Sequence, residues 1–222
     1  MFARPGCHTG PIDVAFLLFE GVTPLDAVGP YEILRLVPGA TVKFVAKTPG
    51  EQYAEGRGLG LIAENSYDDV SSADVLVIPG GIGTRELILD KETLEWIQAV
   101  DRTSRWTTSV CTGSLLLAAA GLLDGRPATT HWLEFDRLRE LGADPVDQRV
   151  VRDGKYLTGA GVSAGIDMAI TLVSLMCDDS VAMALQLAIE YDPQPPFDAG
   201  SPRTAPPELV EVVRAAATQV DS

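Results

Sequence analysis

The sequence predicts an α/β protein, a three-layer sandwich built on a mainly parallel central sheet. Short apolar runs such as "IDVAFLLF" (Ile12–Phe19) and "ADVLVI" (Ala73–Ile78) recur without the polar alternation of a half-wet strand. Strands of that kind are covered on both faces. Amphipathic stretches of helical spacing separate them, with short loops between, as helices crossing over a parallel sheet require. A chain of 222 residues with 46% hydrophobic residues is also enough for one large domain.

Taken in order, Ile12–Phe19 is the first buried strand and Val42–Ala46 the second. Between them, "GVTPLDAVGP" carries helix-start signals: Thr23 as N-cap, Pro24 at the first position and Asp26 as the acidic third residue. Pro30 then kinks that helix or restarts it. The glycine-rich "GEQYAEGRGLGLIAENS" reads as a small hairpin or loop, and Ala73–Ile78 as a third buried strand running into "PGGIGT". Glu92–Asp101 places Leu94, Ile97 and Val100 on one helical face. Trp106–Val110 is β-branched or aromatic and reads as a strand, followed by an all-apolar helix over Ser114–Leu123.

Pro127–Thr130 reads as one more short strand. Trp132–Leu141 is amphipathic, with Trp132, Phe135, Leu138 and Leu141 aligned. Val146–Val151 and Lys155–Leu157, joined by "RDG", form a hairpin because Asp-Gly favours the required turn. Ala164–Met176 and Ser180–Ile189 read as helices. A proline-rich surface segment, "DPQPPFDAGSPRTAPP", precedes a last helix over Glu208–Val220. Residues 1–11 read as a loose extension and residues 12–222 as a single domain.

Composition excludes several functions. The net charge of −14, from 17 basic and 31 acidic residues, repels phosphate backbones and anionic lipid, so neither nucleic acid nor membrane is an expected partner. The longest apolar runs, Leu115–Leu123 and Met168–Cys177, are too short to span a bilayer. The N-terminus lacks the apolar core and cleavage pattern of a signal peptide. Three cysteines, Cys7, Cys111 and Cys177, form no spaced pattern, and the odd count argues against a disulfide framework. A reducing, cytoplasmic location is the simplest expectation. No metal site is expected: the two histidines are His8 and His131, and no CxxC or HExxH spacing occurs.

In parallel sheets ligands sit beyond the carboxyl ends of the strands. That rule directs attention to "FEGVTPLD", "PGGIGT" and "VCTGS". Cys111 stands at a strand-to-helix junction, followed by the small residues Thr112, Gly113 and Ser114. Two readings stand. An unpaired cysteine among apolar residues is commonly a buried hydrophobe. One at the positive end of a helix is expected to have a lowered pKa and to serve as a nucleophile, as at the elbow of G-x-S-x-G hydrolases. Asp26 likewise divides. Local spacing favours the capping box, whereas a carboxylate aimed at the sheet edge would share a hydrogen with Cys111 and act as acid or base.

Gly80, Gly81 and Gly83 of "PGGIGT" lack the G-K-[ST] ending of a phosphate loop. They suit a tight turn, or backbone N–H groups brought close to a reacting atom. "GAGVSAG" (159–165) has three residues between its second and third glycines and does not open a βαβ unit with the acidic residue of a dinucleotide site, Asp167 coming far too early, so helix–strand packing explains it better than a dinucleotide. His131 in "ATTHW" is either a base or orienter for Cys111 or a residue beside a Thr130 helix cap.

Together these stretches resemble the PfpI/ThiJ branch of the class I glutamine amidotransferase-like superfamily, within it the isonitrile (isocyanide) hydratase group. The resemblance rests on "GVTPLDAVGPYEIL", "DVLVIPGGIGT", "TSVCTGSLLLAAAGLLDGRPATTHW", "RVVRDGKYLTGAGVSAGID" and "EYDPQPPFDAGSP". It implies a flavodoxin-like sandwich, a homodimer and a cofactor-free enzyme acting on a small-molecule isocyanide. Carried onto this chain, Cys111 becomes the nucleophile, Asp26 its acidic partner and Thr112 the third catalytic position. Gly81, Ile82, His131 and Gly161 become substrate- or oxyanion-binding positions. Asp at position 26 and Thr at 112 suit the hydratase group, where many relatives carry Glu and a Cys-His pair. The implied chemistry is hydration to an N-substituted formamide through a cysteine thioimidate. Other members of the superfamily provide two alternatives: a ligand- or redox-sensing domain of the AraC-associated type, and a glyoxalase/deglycase- or peptidase-like enzyme.

Overall fold

A computed structural model describes residues 10–220. Most of the expected N-terminal extension, with Cys7 and His8, lies outside the described residues. The central sheet has six strands in the order β2-β1-β5-β6-β10-β9. They are β1 (Ile12–Leu17), β2 (Ala40–Val45), β5 (Val75–Ile78), β6 (Trp106–Val110), β9 (Val150–Asp153) and β10 (Tyr156–Gly159). All neighbours pair in parallel except β9, which runs antiparallel to β10. Two small ladders complete the strands: a hairpin of β3 (Gly50–Tyr53) and β4 (Gly60–Ala63), and a parallel pair of β7 (Pro127–Ala128) and β8 (Asp144–Pro145).

The helices fall into two layers. α1 (Pro24–Leu34), α6 (Ala164–Met176) and α7 (Asp179–Ala188) pack together on one side. α2 (Thr84–Leu87), α3 (Lys91–Asp101), α4 (Gly113–Ala119) and α5 (Phe135–Glu140) form the other. Between the layers Phe16, Leu17, Leu76, Ile78, Leu116 and Leu117 are fully buried. The expected α/β sandwich with a mainly parallel sheet is therefore the observed fold. α1 continues through Pro30, which the sequence expected to kink or restart it. Glycines let α1 and α6 approach: a Cβ on Gly165 would lie 3.1 Å from Val110 of β6 and 3.2 Å from Pro30. That is the helix–strand packing expected of "GAGVSAG".

Other boundaries move for local reasons. The apolar helix expected to reach Leu123 ends at Ala119, because Gly121 adopts φ +75° and turns the chain. The first strand of the "RDG" hairpin shifts to Val150–Asp153, with Gly154 at φ +60° in the turn. Thr130 is not a helix cap; His131 caps the 3₁₀ turn Trp132–Glu134. Cys111 is a free thiol, whereas Cys177 is disulfide-bonded. The odd cysteine count therefore did not exclude a bridge.

Chain contacts divide the protein into two compact units, Met1–Ile189 and Glu190–Ser222. The second holds the proline-rich run and α8 (Pro207–Val220), on which Leu209, Val212 and Val213 recur at helical spacing. Among the described residues, no helix is long and apolar enough to cross a membrane.

Candidate active site

Strand order reverses between β1 and β5, and the carboxyl ends of β1, β5 and β6 lie side by side. That crevice is where an α/β sheet accepts ligands. Cys111 follows the last residue of β6 with φ +56°, in the left-handed region that a non-glycine residue enters only under constraint. Its N–H is donated to both Gly159 O (3.0 Å) and Ala160 O (2.8 Å). Its carbonyl accepts hydroxyls from Thr130 (3.0 Å) and Ser114 (3.2 Å). Gly113 is required two residues on, since a Cβ there would stand 2.1 Å from Ile78 O.

Asp26 is fully buried at the start of α1. The capping box is not formed: the Thr23 side chain makes no cap bond, and the Thr23 N–H is donated to Gly80 O at 2.8 Å. Asp26 instead accepts the Gly80 N–H on Oδ2 at 2.9 Å, and its buried Oδ1 has no hydrogen-bond partner. A long-range partner thus displaces the local one. Gly80 has no room for a side chain, because a Cβ would lie 2.6 Å from both Thr112 N and Oγ1 and 2.9 Å from Asp26 Oδ2. The next residue, Gly81, donates its N–H to Thr112 Oγ1 at 2.9 Å, and the same hydroxyl lies 3.3 Å from Gly81 O. The Gly81 amide was expected to face substrate; here it holds Thr112. Ile82 sits partly exposed in the turn that follows.

These contacts set the electrostatics. Burial pushes Asp26 from the ordinary 3.8 up to about 7, although the Gly80 N–H and the neighbouring Cys111 thiol oppose it. Burial, and next the charge of Asp26, push the Cys111 thiol up to about 12. The Val162 and Thr112 N–H groups pull it back only in part. The expectation that the helix end lowers the thiol pKa is overturned: desolvation outweighs it. The resting pair is a protonated sulfur beside a carboxyl poised near neutrality.

His131 lies elsewhere in this arrangement. Its Nδ1 accepts the Leu133 N–H at 3.4 Å, which assigns the hydrogen to Nε2, and burial lowers its pKa. The ring packs on Gly161, where a Cβ would lie 2.7 Å from Cδ2. His131 is not among the groups that bear on the thiol, whereas Asp26 is. The Val162 N–H and the Thr130 hydroxyl were not singled out from the sequence. A backbone amide leaves no mark in a sequence, and Thr130 reads locally as a cap. Among the described residues no His, Cys, Asp and Glu side chains cluster as metal ligands.

Residues 13–175 match the DJ-1/PfpI family. The chain belongs to that family. A DJ-1/PfpI relative, the isonitrile hydratase of Pseudomonas putida, is 45% identical over 203 residues, covering 91% of this chain and 89% of its own length. The HTH-type transcriptional regulator CdhR of Pseudomonas aeruginosa is 28% identical over 188 residues, and the match spans 54% of that protein. In three dimensions, the crystal structure of a ThiJ/PfpI family protein from Pseudomonas syringae superposes with a TM-score of 0.91. It is 36% identical, over 98% of this chain and 94% of that one. Drosophila melanogaster DJ-1beta shares the fold at a TM-score of 0.72 and 16% identity, covering 81% of this chain and 98% of that one.

Proposed function

We propose that this chain is an isonitrile hydratase, a carbon–nitrogen-acting hydro-lyase that converts isocyanides to N-substituted formamides. The observation that carries it is the buried Asp26 carboxyl beside Cys111 at a strained elbow, in a chain 45% identical to a protein of that activity. An isocyanide R–N≡C is electrophilic and carbanion-like at the same terminal carbon, so it needs a nucleophile and a proton delivered together. Asp26 takes the thiol proton as sulfur attacks, then places it on the carbon, giving the thioimidate R–N=CH–S–Cys111. Water adds to that carbon; Asp26 accepts one of its protons and passes it to the nitrogen. The C–S bond then breaks, the hydroxyl proton returns to sulfur, and R–NH–CHO leaves.

In this reading the Thr112 and Val162 N–H groups stabilise the sulfur as it gains charge, and Gly81 fixes Thr112. Ile82, His131 and Gly161 frame the substrate side. The chemistry draws on no metal or organic cofactor. The proposal includes a cytoplasmic homodimer whose residues 12–222 act as one domain.

Formamide production from a simple alkyl isocyanide tests it. Wild-type protein should turn the substrate over, Cys111→Ala should not, and Asp26→Asn should fold yet fall at least a hundredfold. Wild-type turnover retained by Cys111→Ala would rule out the covalent route. A sensing role, as in the regulator relatives, would instead give no turnover with Cys111 readily oxidised to the sulfinic acid.

A further inference from the structure

We propose that Thr130 is a positioning residue, holding Cys111 in its left-handed conformation by donating its hydroxyl to the Cys111 carbonyl. The proposal deepens the reading of Cys111 as nucleophile and rests on it for the catalytic arm of its test.

At the start of a helix, the carbonyl of the residue before the first turn normally accepts a backbone N–H from the helix it opens. That position is Thr112, whose carbonyl accepts the Leu115 N–H (3.0 Å), and Cys111 stands one residue before it, outside the helix. The donors to the Cys111 carbonyl are two fully buried hydroxyls, Ser114 Oγ at 3.2 Å and Thr130 Oγ1 at 3.0 Å. Ser114 lies three residues along the same turn and moves with it. Thr130 arrives from a separate segment, 19 residues away in the chain, and at the shorter distance.

That segment is itself anchored. Ala128 belongs to β7, and the Thr129 N–H is donated to Thr158 Oγ1 of β10 at 2.9 Å. β10 is also the strand beside β6, and its end, Gly159 O, accepts the Cys111 N–H at 3.0 Å. Both backbone groups of Cys111 are thus tied, directly or through Thr130, to the β10 side of the elbow. Left-handed backbone at a non-glycine residue persists only when its surroundings over-determine it. Thr130 supplies the non-local constraint on the carbonyl side, and that constraint aims the sulfur at Asp26.

Thr130→Val removes the hydroxyl at nearly constant volume, and Thr130→Ser returns it. The pH dependence of Cys111 alkylation by iodoacetamide reads the geometry without any substrate. The expected result is a midpoint displaced in Thr130→Val by enough to change the alkylation rate at least threefold at fixed pH, and restored in Thr130→Ser. With an alkyl isocyanide, Thr130→Val should lose at least tenfold in kcat at unchanged KM, again restored by Ser. Should Thr130→Val not fold, Thr130→Ala carries the same comparison. Alkylation and kcat unchanged in the folded Val or Ala variant would overturn the proposal. A change that Ser does not reverse would also overturn it, by pointing to packing. If wild-type protein hydrates no isocyanide, the proposed function fails, while the alkylation arm still decides the role of Thr130.

Discussion

At Cys111 a left-handed backbone, a buried sulfur and a raised thiol pKa coincide. Burial of a neutral thiol is no cost, but the left-handed backbone is, and it identifies a residue held against its own preference. Replacing it tests this directly. Cys111→Gly removes the steric cost of φ +56°, whereas Cys111→Ala keeps it. Left-handed strain costs on the order of 1–2 kcal/mol, against about 0.5–1 kcal/mol for the extra freedom of an unfolded glycine. Cys111→Gly should therefore match or exceed Cys111→Ala in urea midpoint, although it is the smaller residue; a clearly less stable glycine variant would show the backbone to be unstrained. Gly80 argues the opposite way. Because its missing Cβ leaves room for Thr112 and Asp26, Gly80→Ala should displace the carboxyl or the elbow. The measurable outcome is lost turnover with stability lowered by about 1–3 kcal/mol, typical of an overpacked interior.

Among the elements, those whose evidence is local were legible and those that depend on a distant partner were not. Trp106–Val110 and Ala164–Met176 were read to the residue, since a β-branched run and an uninterrupted helical pattern need no neighbour to declare themselves. The Thr23-to-Asp26 spacing looks the same whether Asp26 caps its own helix or reaches Gly80, and only the folded β5 end decides. The crevice where "FEGVTPLD", "PGGIGT" and "VCTGS" meet was legible from the parallel-sheet rule. The family resemblance named Cys111, Asp26 and Thr112 within it. Unread were the bonds of the Val162 amide and the Thr130 hydroxyl, whose roles come from register alone. Gly113 shows how tightly element ends are set: α4 begins where a Cβ would strike Ile78 O at 2.1 Å. Gly113→Ala must push α4 off β5, so circular dichroism melts should show a large destabilisation or no folded protein. A wild-type melting temperature would contradict the packing.

Across the whole molecule, one buried carboxyl leaves a signature on global stability. The ordinary pKa of Asp26 is 3.8, and in the folded protein it is about 7. Because the folded value is the higher one, the folded state binds more protons between these limits, and stability falls as pH rises through the window. The destabilisation is absent below about pH 4, grows from there, and is fully present above about pH 7. Its full size corresponds to about 4 kcal/mol. Other groups also titrate here, and a net charge of −14 adds self-repulsion as pH rises. Those contributions are common to wild type and Asp26→Asn, so the difference between the two isolates the carboxyl. Urea unfolding at pH 5 and pH 8 should show Asp26→Asn gaining on wild type at the higher pH by about 2–3 kcal/mol, with isocyanide turnover lost at both. An equal difference at the two pH values would mean that Asp26 titrates normally, and the relay with Cys111 would then rest on a fully ionised, weakly basic carboxylate rather than on one poised near neutrality.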